Sequence, residues 1–183
     1  MALLHTPAPA SNFKAPDFAL KNIDGTIKSF ENISGANGTV IAFICNHCPY
    51  VQAIIERFAE TAQALQADGI GIAAIMPNDA TTYPADNFEN MQKFAQQHNF
   101  TFPYLIDESQ AVAKSYDAIC TPDIFGFDAK GVLQYRGRLD SAGPNKADAS
   151  TTPELRNAMQ QIKTTGQAPT DQSPAMGCSI KWK

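Results

Sequence analysis

The chain has 183 residues, which is enough for one domain with a substantial apolar core. Apolar residues make up 44% of it and charged residues 17%, and the net charge is −4. This composition is typical of a soluble globular protein. The acidic balance, with no basic cluster to offset it, argues against nucleic acid and anionic membranes as partners.

The sequence also argues against a membrane span or an export signal. Apolar stretches such as residues 70–76 are far shorter than the roughly 18 residues that a membrane helix needs. The N-terminus has neither the basic region nor the continuous apolar core of a signal peptide. We therefore expect a cytoplasmic protein, in which four sparse cysteines are more often reactive or metal-binding than structural.

Apolar periodicity predicts alternating strands and helices in a single domain over residues 1–183. An extended arm over 1–15 precedes a hairpin around the Asp24-Gly25 turn, with strands over 17–20 and 26–29. The later predicted elements are strands over 39–44, 71–76, 104–107, 123–127 and 132–138, helices over 49–68, 87–98, 110–116 and 153–163, and a tail over 165–183 without a periodic pattern. This order predicts an α/β fold with a central mixed sheet flanked by helices.

Two cysteines separated by two residues lie where the strand over 39–44 passes into the helix over 49–68. Cys45 and Cys48 enclose Asn46 and His47, and Pro49 is tolerated only in the first turn of the helix. A helix N-terminus favours an anion, so one sulfur is expected to be a thiolate near neutral pH. The thiolate is the nucleophile of disulfide exchange, and the motif therefore indicates redox chemistry.

Several segments together resemble a known family. They are residues 43–51 around the cysteine motif, residues 77–79 (Pro-Asn-Asp), residues 120–123 (Cys-Thr-Pro-Asp) and residues 177–183 (Gly-Cys-Ser-Ile-Lys-Trp-Lys). Over nearly the whole chain they are similar to the thioredoxin-like redoxins of the alkyl hydroperoxide reductase/thiol-specific antioxidant superfamily. The resemblance implies a thioredoxin-like fold with an N-terminal hairpin extension and a C-terminal tail. It also implies thiol–disulfide oxidoreductase activity through a redox-active disulfide, with no bound cofactor.

The resemblance further implies roles for individual residues. Thr121 and Pro122 match the residue pair that faces the cysteines in this fold, where a cis proline lets the preceding residue pair with an extended substrate. Cys45 is expected to be the exposed attacking sulfur and Cys48 its buried resolving partner. His47 is expected to stabilise the thiolate and make the couple more oxidising than thioredoxin, unless it is merely a solvated side chain.

Four more residues are possible auxiliaries. Asp79 is a candidate for proton transfer at the resolving sulfur, or else a turn cap. Cys120 is either a third redox sulfur or a small buried hydrophobic residue. Cys178 and Trp182 lie in the tail, which either folds over the active site, with Cys178 as a further resolving cysteine, or docks elsewhere.

Peroxide reduction and metal binding are the two alternatives to disulfide exchange. A peroxiredoxin carries a hydroxyl residue three positions before its cysteine. In this chain that position holds Ala42 for Cys45 and Cys45 for Cys48, so neither cysteine has the hydroxyl residue. A structural zinc site needs four ligands, and no second close cysteine pair exists, so we expect no metal site. A non-enzymatic redox-sensing or metal-binding module remains the third hypothesis. The expected partners are protein or small-molecule thiols and disulfides, peroxides, and an external thiol reductant.

Overall fold

The computed structural model describes residues 2–183, which form one large and one small sheet with helices packed against them. The strands, numbered in chain order, are β1 (Leu3–His5), β2 (Leu20–Asn22), β3 (Ile27–Lys28), β4 (Thr39–Phe43), β5 (Gly71–Met76), β6 (Tyr104–Ile106), β7 (Cys120–Thr121), β8 (Asp123–Phe127), β9 (Leu133–Arg136) and β10 (Met176–Ser179). The helices are α1 (Phe30–Ile33), α2 (Pro49–Ala67), α3 (Phe88–Gln97), α4 (Ala111–Ser115) and α5 (Glu154–Thr165), with a 3₁₀ turn over Pro84–Asp86. None of the helices within residues 2–183 combines the length and apolarity needed to cross a bilayer.

The large sheet has seven strands in the order β3-β2-β6-β5-β4-β8-β9. Strand β5 runs parallel to both β4 and β6, and the other pairs are antiparallel. Alternate residues of β4 face opposite sides, with Val40 and Ala42 in one apolar cluster and Ile41 and Phe43 in the other. The sheet is therefore buried on both faces, and the predicted mixed sheet flanked by helices is confirmed.

Helix α2 places the cysteine motif at the edge of this sheet. Its buried positions recur at helical spacing and pack on the cluster that contains Val40 and Ala42. Cys48 is the N-cap of α2 and Pro49 is its first residue, so the helix begins where the sequence predicts.

The terminal segments differ from the prediction. The arm contains β1 and the tail contains β10, and these two strands form a second sheet in the order β1-β10-β7. In its register Leu3 is opposite Cys178, and Cys178 is opposite Thr121. Residues 165–183 carry no periodic pattern and no strand is predicted there, because these short strands are stabilised by pairing with distant parts of the chain. The first hairpin strand also begins later than predicted, at Leu20.

Candidate active site

Both cysteines of the motif lie in the interior. Cys45 follows β4 and is 1% exposed, and Cys48 at the start of α2 is 0% exposed. The expectation that Cys45 would be exposed is therefore wrong, because the second sheet covers the end of β4. All four cysteines are free thiols in the structure.

Thr121 contacts both sulfurs. Its hydroxyl shares a hydrogen bond of 3.3 Å with Cys45 Sγ, and its carbonyl oxygen accepts one of 3.1 Å from Cys48 Sγ. The following peptide bond, between Thr121 and Pro122, is cis. The structure thus brings together Cys45, Cys48, Thr121 and Pro122, four of the five residues predicted from the sequence to form the site, the fifth being His47.

The two sulfurs differ in acidity. A hydrogen bond from Cys45 lowers the pKa of Cys48 to about 5, with further contributions from Cys178 and the Val51 backbone at the start of α2. The same hydrogen bond, burial and the nearby Asp86 charge raise the pKa of Cys45 well above its ordinary value. Cys48 is therefore the more readily ionised of the two sulfurs, whereas Cys45 was expected to be the activated one. As a thiol Cys48 donates to the Thr121 carbonyl, and it gives up this bond when it ionises.

A buried carboxylate organises the motif from the side opposite Thr121. Asp86 Oδ1 accepts hydrogen bonds from the backbone N–H groups of Asn46 (2.8 Å) and His47 (3.3 Å). Its Oδ2 accepts from His47 Nδ1 (2.6 Å) and from the Asn78 amide (2.8 Å). His47 therefore pairs with the Asp86 carboxylate. The negative charge of this carboxylate offsets the stabilisation of a thiolate that was predicted for His47. The sequence analysis missed Asp86 because it lies in a loop, and its burial depends on tertiary packing.

Cys45, His47 and Asp86 offer ligand atoms that lie within 4.8 Å of one another. The contacts of Asp86 argue that this cluster is a hydrogen-bonded network, because each of its carboxylate oxygens already accepts two N–H groups. A metal ion would have to replace part of that set.

The C-terminal strand β10 covers the sulfurs. Cys178 in this strand pairs with Thr121, the residue that contacts Cys45 and Cys48. Cys178 also belongs to the same buried cluster as these two cysteines. Interaction with the Cys178 thiol also contributes to the lowered pKa of Cys48. Burial and the contact with Cys48 raise the pKa of Cys178 to about 11. Of the two alternatives for the tail, the structure contains the one in which it folds over the active site.

The residues after β10 hold the tail in place. The Lys181 backbone donates to Asn78 Oδ1 (2.9 Å) and accepts from the Asp79 backbone (2.8 Å). Gln110 donates to the Lys181 carbonyl and accepts from the Lys183 backbone, both at 2.9 Å. Because Asn78 also binds Asp86, a continuous hydrogen-bonded path joins the docked tail to the cysteine motif.

Trp182 and Asp79 have positions unlike those expected of active-site residues. Trp182 is 42% exposed and lies 5.5 Å from the Lys114 ammonium group, so β10 and not the indole covers the sulfurs. The Asp79 carboxylate accepts from Thr82 Oγ1 (2.6 Å) and the Thr81 backbone (3.0 Å), and these bonds lower its pKa. Asp79 is thus a turn cap, and the buried acid beside the motif is Asp86.

Cys120 is buried next to the site. Its thiol donates to the Pro122 carbonyl oxygen at 3.4 Å, and burial raises its pKa above the ordinary value. Its strand partner is Ser179, whereas Cys178 is opposite Thr121. These contacts favour Cys120 as a packed hydrophobic residue and leave Cys178 as the third sulfur of the cluster.

A cavity of about 500 Å³ has Pro122 in its wall, and none of the four cysteines lines it. Its wall includes Tyr50 from α2, Arg138 and the segment before β10. The Arg138 guanidinium is paired with the Glu154 carboxylate by hydrogen bonds of 2.6 and 2.9 Å. The cavity therefore offers a mostly neutral recess beside the cis proline.

Comparison with solved structures and curated proteins gives relatives at several levels of similarity. A crystal structure of an uncharacterized conserved protein from Geobacillus kaustophilus has a TM-score of 0.94 and 41% identity, and the match covers 100% of this chain and 97% of that one. Thioredoxin-like protein YneN of Bacillus subtilis (strain 168) is 27% identical over 123 residues, which are 66% of this chain and 67% of that protein. Thiol-disulfide oxidoreductase ResA of Geobacillus thermodenitrificans (strain NG80-2) is 26% identical over 127 residues, 69% and 68% of the two chains.

The architecture is thioredoxin-like, as predicted, with the mixed sheet, the flanking helices and the cysteine motif at the start of α2. The model of the AhpC/TSA family matches residues 12–136, from the N-terminal hairpin to the end of β9. This match spans more than half of the chain and includes the motif and the Thr121–Pro122 pair. The chain belongs to the AhpC/TSA family.

Proposed function

We propose that the chain is a thiol–disulfide oxidoreductase that cycles Cys45 and Cys48 between two thiols and a disulfide. The observation that carries the proposal is that both sulfurs contact Thr121, next to a cis proline. Family membership and the relatives named as thioredoxin-like or as a thiol-disulfide oxidoreductase support the same reaction.

In the reducing direction, Cys45 attacks one sulfur of a substrate disulfide and transfers its proton to the Cys48 thiolate. The substrate S–S bond breaks, a mixed disulfide forms at Cys45, and the departing substrate sulfur leaves as a thiolate. That thiolate takes the proton back from Cys48, directly or through water. Cys48 then attacks Cys45 Sγ, which releases the second substrate sulfur and leaves the Cys45–Cys48 disulfide. An external thiol reductant restores the two thiols.

Access to Cys45 requires displacement of the tail strand, because β10 lies on β7 where an extended substrate would pair with Thr121. Removal of this cover hydrates Cys45. Since burial is one cause of its raised pKa, the pKa of Cys45 is expected to fall when the tail moves away. Tail displacement thus both exposes and activates the attacking sulfur.

Insulin reduction with dithiothreitol as the reductant tests the proposal. We expect the wild-type protein and Cys120→Ser to accelerate precipitation of the insulin chains, and Cys45→Ser to lose the acceleration. Cys120 is the matched control because it is a buried cysteine of the same region that contacts the Pro122 carbonyl and not the redox pair. Activity in Cys45→Ser equal to wild type would refute the assigned role.

Peroxide reduction is a second candidate, favoured by the Thr121 hydroxyl at 3.3 Å from Cys45 Sγ. The charge that acts on Cys45 is the Asp86 carboxylate, which opposes the negative charge that develops when a peroxide bond breaks. We therefore place peroxide reduction second. Stopped-flow measurement of thiol oxidation by hydrogen peroxide decides between the two, and a rate no higher than that of free cysteine rejects this candidate.

A further inference from the structure

The tail strand resembles a bound substrate in its position. An extended segment that pairs with the residue before a cis proline places its side chains beside the redox sulfurs. Here the chain supplies that segment itself, since Cys178 in β10 pairs antiparallel with Thr121 in β7. The residue that this arrangement brings to the sulfurs is another cysteine.

The close fit of β10 is specific to its sequence. A Cβ atom at position 177 would lie 2.3 Å from the Thr121 carbonyl oxygen and 3.0 Å from the Pro122 nitrogen. Only glycine therefore lets the tail approach this backbone closely enough for its neighbour Cys178 to reach the buried cluster. The contacts of Lys181 with Asn78 and Gln110 then fix the strand from its C-terminal side.

Cys48 lies between the other two sulfurs. It donates to the carbonyl of Thr121, the residue opposite Cys178, and it belongs with Cys45 and Cys178 to one buried cluster. Any disulfide that includes Cys48 therefore has a third sulfur next to it. Disulfide exchange requires a thiolate beside a disulfide sulfur. Of the three causes that raise the pKa of Cys178, two come from the reduced Cys48, and they are absent once Cys48 is part of a disulfide.

We propose that Cys178 is a third redox-active sulfur, which exchanges with the Cys45–Cys48 disulfide to form a Cys48–Cys178 disulfide. The Cys178 thiolate attacks Cys48 Sγ, the Cys48–Cys178 bond forms and the Cys45–Cys48 bond breaks. The electron pair leaves on Cys45, which takes the proton that Cys178 gave up. The exchange is an isomerisation, so it needs no oxidant beyond the one that formed the first disulfide.

This inference rests on the proposed function for its starting disulfide, which the oxidoreductase cycle produces. Its consequence is that oxidation attaches the tail covalently over the site and returns Cys45 to a thiol. The oxidised chain is then closed to a further substrate until a reductant releases Cys178. The tail thus couples the redox state of the pair to access of the next disulfide.

Disulfide mapping after oxidation with oxidised glutathione tests the inference. Trypsin leaves Cys45 and Cys48 together on peptide 29–57 and Cys178 on peptide 164–181, so the two possible disulfides have different masses. We expect the wild-type protein to yield the cross-linked pair of peptides with Cys45 alkylated. The cross-link should persist in Cys120→Ser, form more slowly in Cys45→Ser, which lacks the starting disulfide, and fall by at least about tenfold in Cys48→Ser and Cys178→Ser.

A wild-type protein whose only disulfide lies inside peptide 29–57 overturns the inference, and so does a cross-link that survives in Cys48→Ser. The mapping is independent of the insulin assay. Failure to reduce insulin together with a Cys48–Cys178 cross-link would refute the proposed function and leave the third sulfur in place. Insulin reduction without the cross-link would do the reverse.

Discussion

Replacement of Gly177 by alanine tests whether the tail strand controls access to the cysteines. The new methyl group would lie 2.3 Å from the Thr121 carbonyl oxygen and 2.6 Å from the Thr121 carbonyl carbon. Both are backbone atoms of β7 and cannot rotate away, so β10 has to move. The substitution therefore acts on the docked tail and not on any redox sulfur.

The size of the effect follows from the cost of forcing extra volume into a packed site, which is about 1–3 kcal/mol. Because the obstructing atoms at Gly177 belong to the backbone, we expect a value near the upper end. About 3 kcal/mol corresponds to roughly a 100-fold rise in the fraction of molecules with an undocked tail. Reaction of a covered thiol is proportional to that fraction when opening and closing are fast.

Alkylation of the reduced protein by iodoacetamide, followed on peptide 29–57 by mass spectrometry, measures this fraction. The expected result for Gly177→Ala is a rise in the rate at Cys45 and Cys48 of roughly 100-fold. Gly25→Ala is the control, because its methyl group meets no atom within 4 Å and its positive φ of 86° confines the strain to the distant hairpin. It is expected to leave the rate within about twofold. A folded Gly177→Ala protein that reacts at the wild-type rate would refute the idea that β10 covers the site.

Three further predictions concern groups around the pair. Asp86→Asn is expected to lower the free energy of unfolding by at least about 2 kcal/mol. The substitution replaces one carboxylate oxygen by an amide NH₂ group, which cannot accept the hydrogen bonds from His47 and Asn78. Urea denaturation measures this, and a loss no larger than that of Asp79→Asn would contradict the network. The emission of Trp182, the only tryptophan, is expected to shift to longer wavelength in Gly177→Ala as the indole leaves Lys114; an identical spectrum would count against undocking. Ultraviolet absorbance of the reduced protein should show one thiolate forming as the pH rises through about 5, and Cys48→Ser should lack it. The pKa of Cys48 is lower in the folded protein than in the unfolded chain. Its ionisation therefore stabilises the reduced protein fully only above the pKa of the unfolded thiol, and this stabilisation is lost as the pH falls to about 5.

The parts of the fold that local pattern determines were predictable. Helix α2 carries an apolar face with helical spacing and has Pro49 in its first turn, so its start and end follow from the sequence. Strands β4 and β5 are continuous apolar runs, as expected of central strands buried on both faces. The position of the cysteine motif followed directly from these elements.

Long-range pairing and burial limited the prediction of the rest. Strand β10 is four residues long and contains Gly177, and it exists because it pairs with segments far away in the sequence, including Thr121. The burial of Cys45 depends on that pairing and could not be inferred from its position after β4. Asp86 follows Pro84 in a loop that carries no hydrophobic pattern, and its role emerges only from the donors that converge on it.

The reduction potential of the Cys45–Cys48 pair tests the central claim most directly. Titration of a Cys178→Ser protein against glutathione buffers, with disulfides quantified on peptide 29–57, isolates this couple. Because the lowered pKa of Cys48 stabilises the reduced form, we predict a single two-electron transition at a potential above about −270 mV, the value for thioredoxin. A chain that forms no Cys45–Cys48 disulfide across the whole range of glutathione buffers would contradict the account.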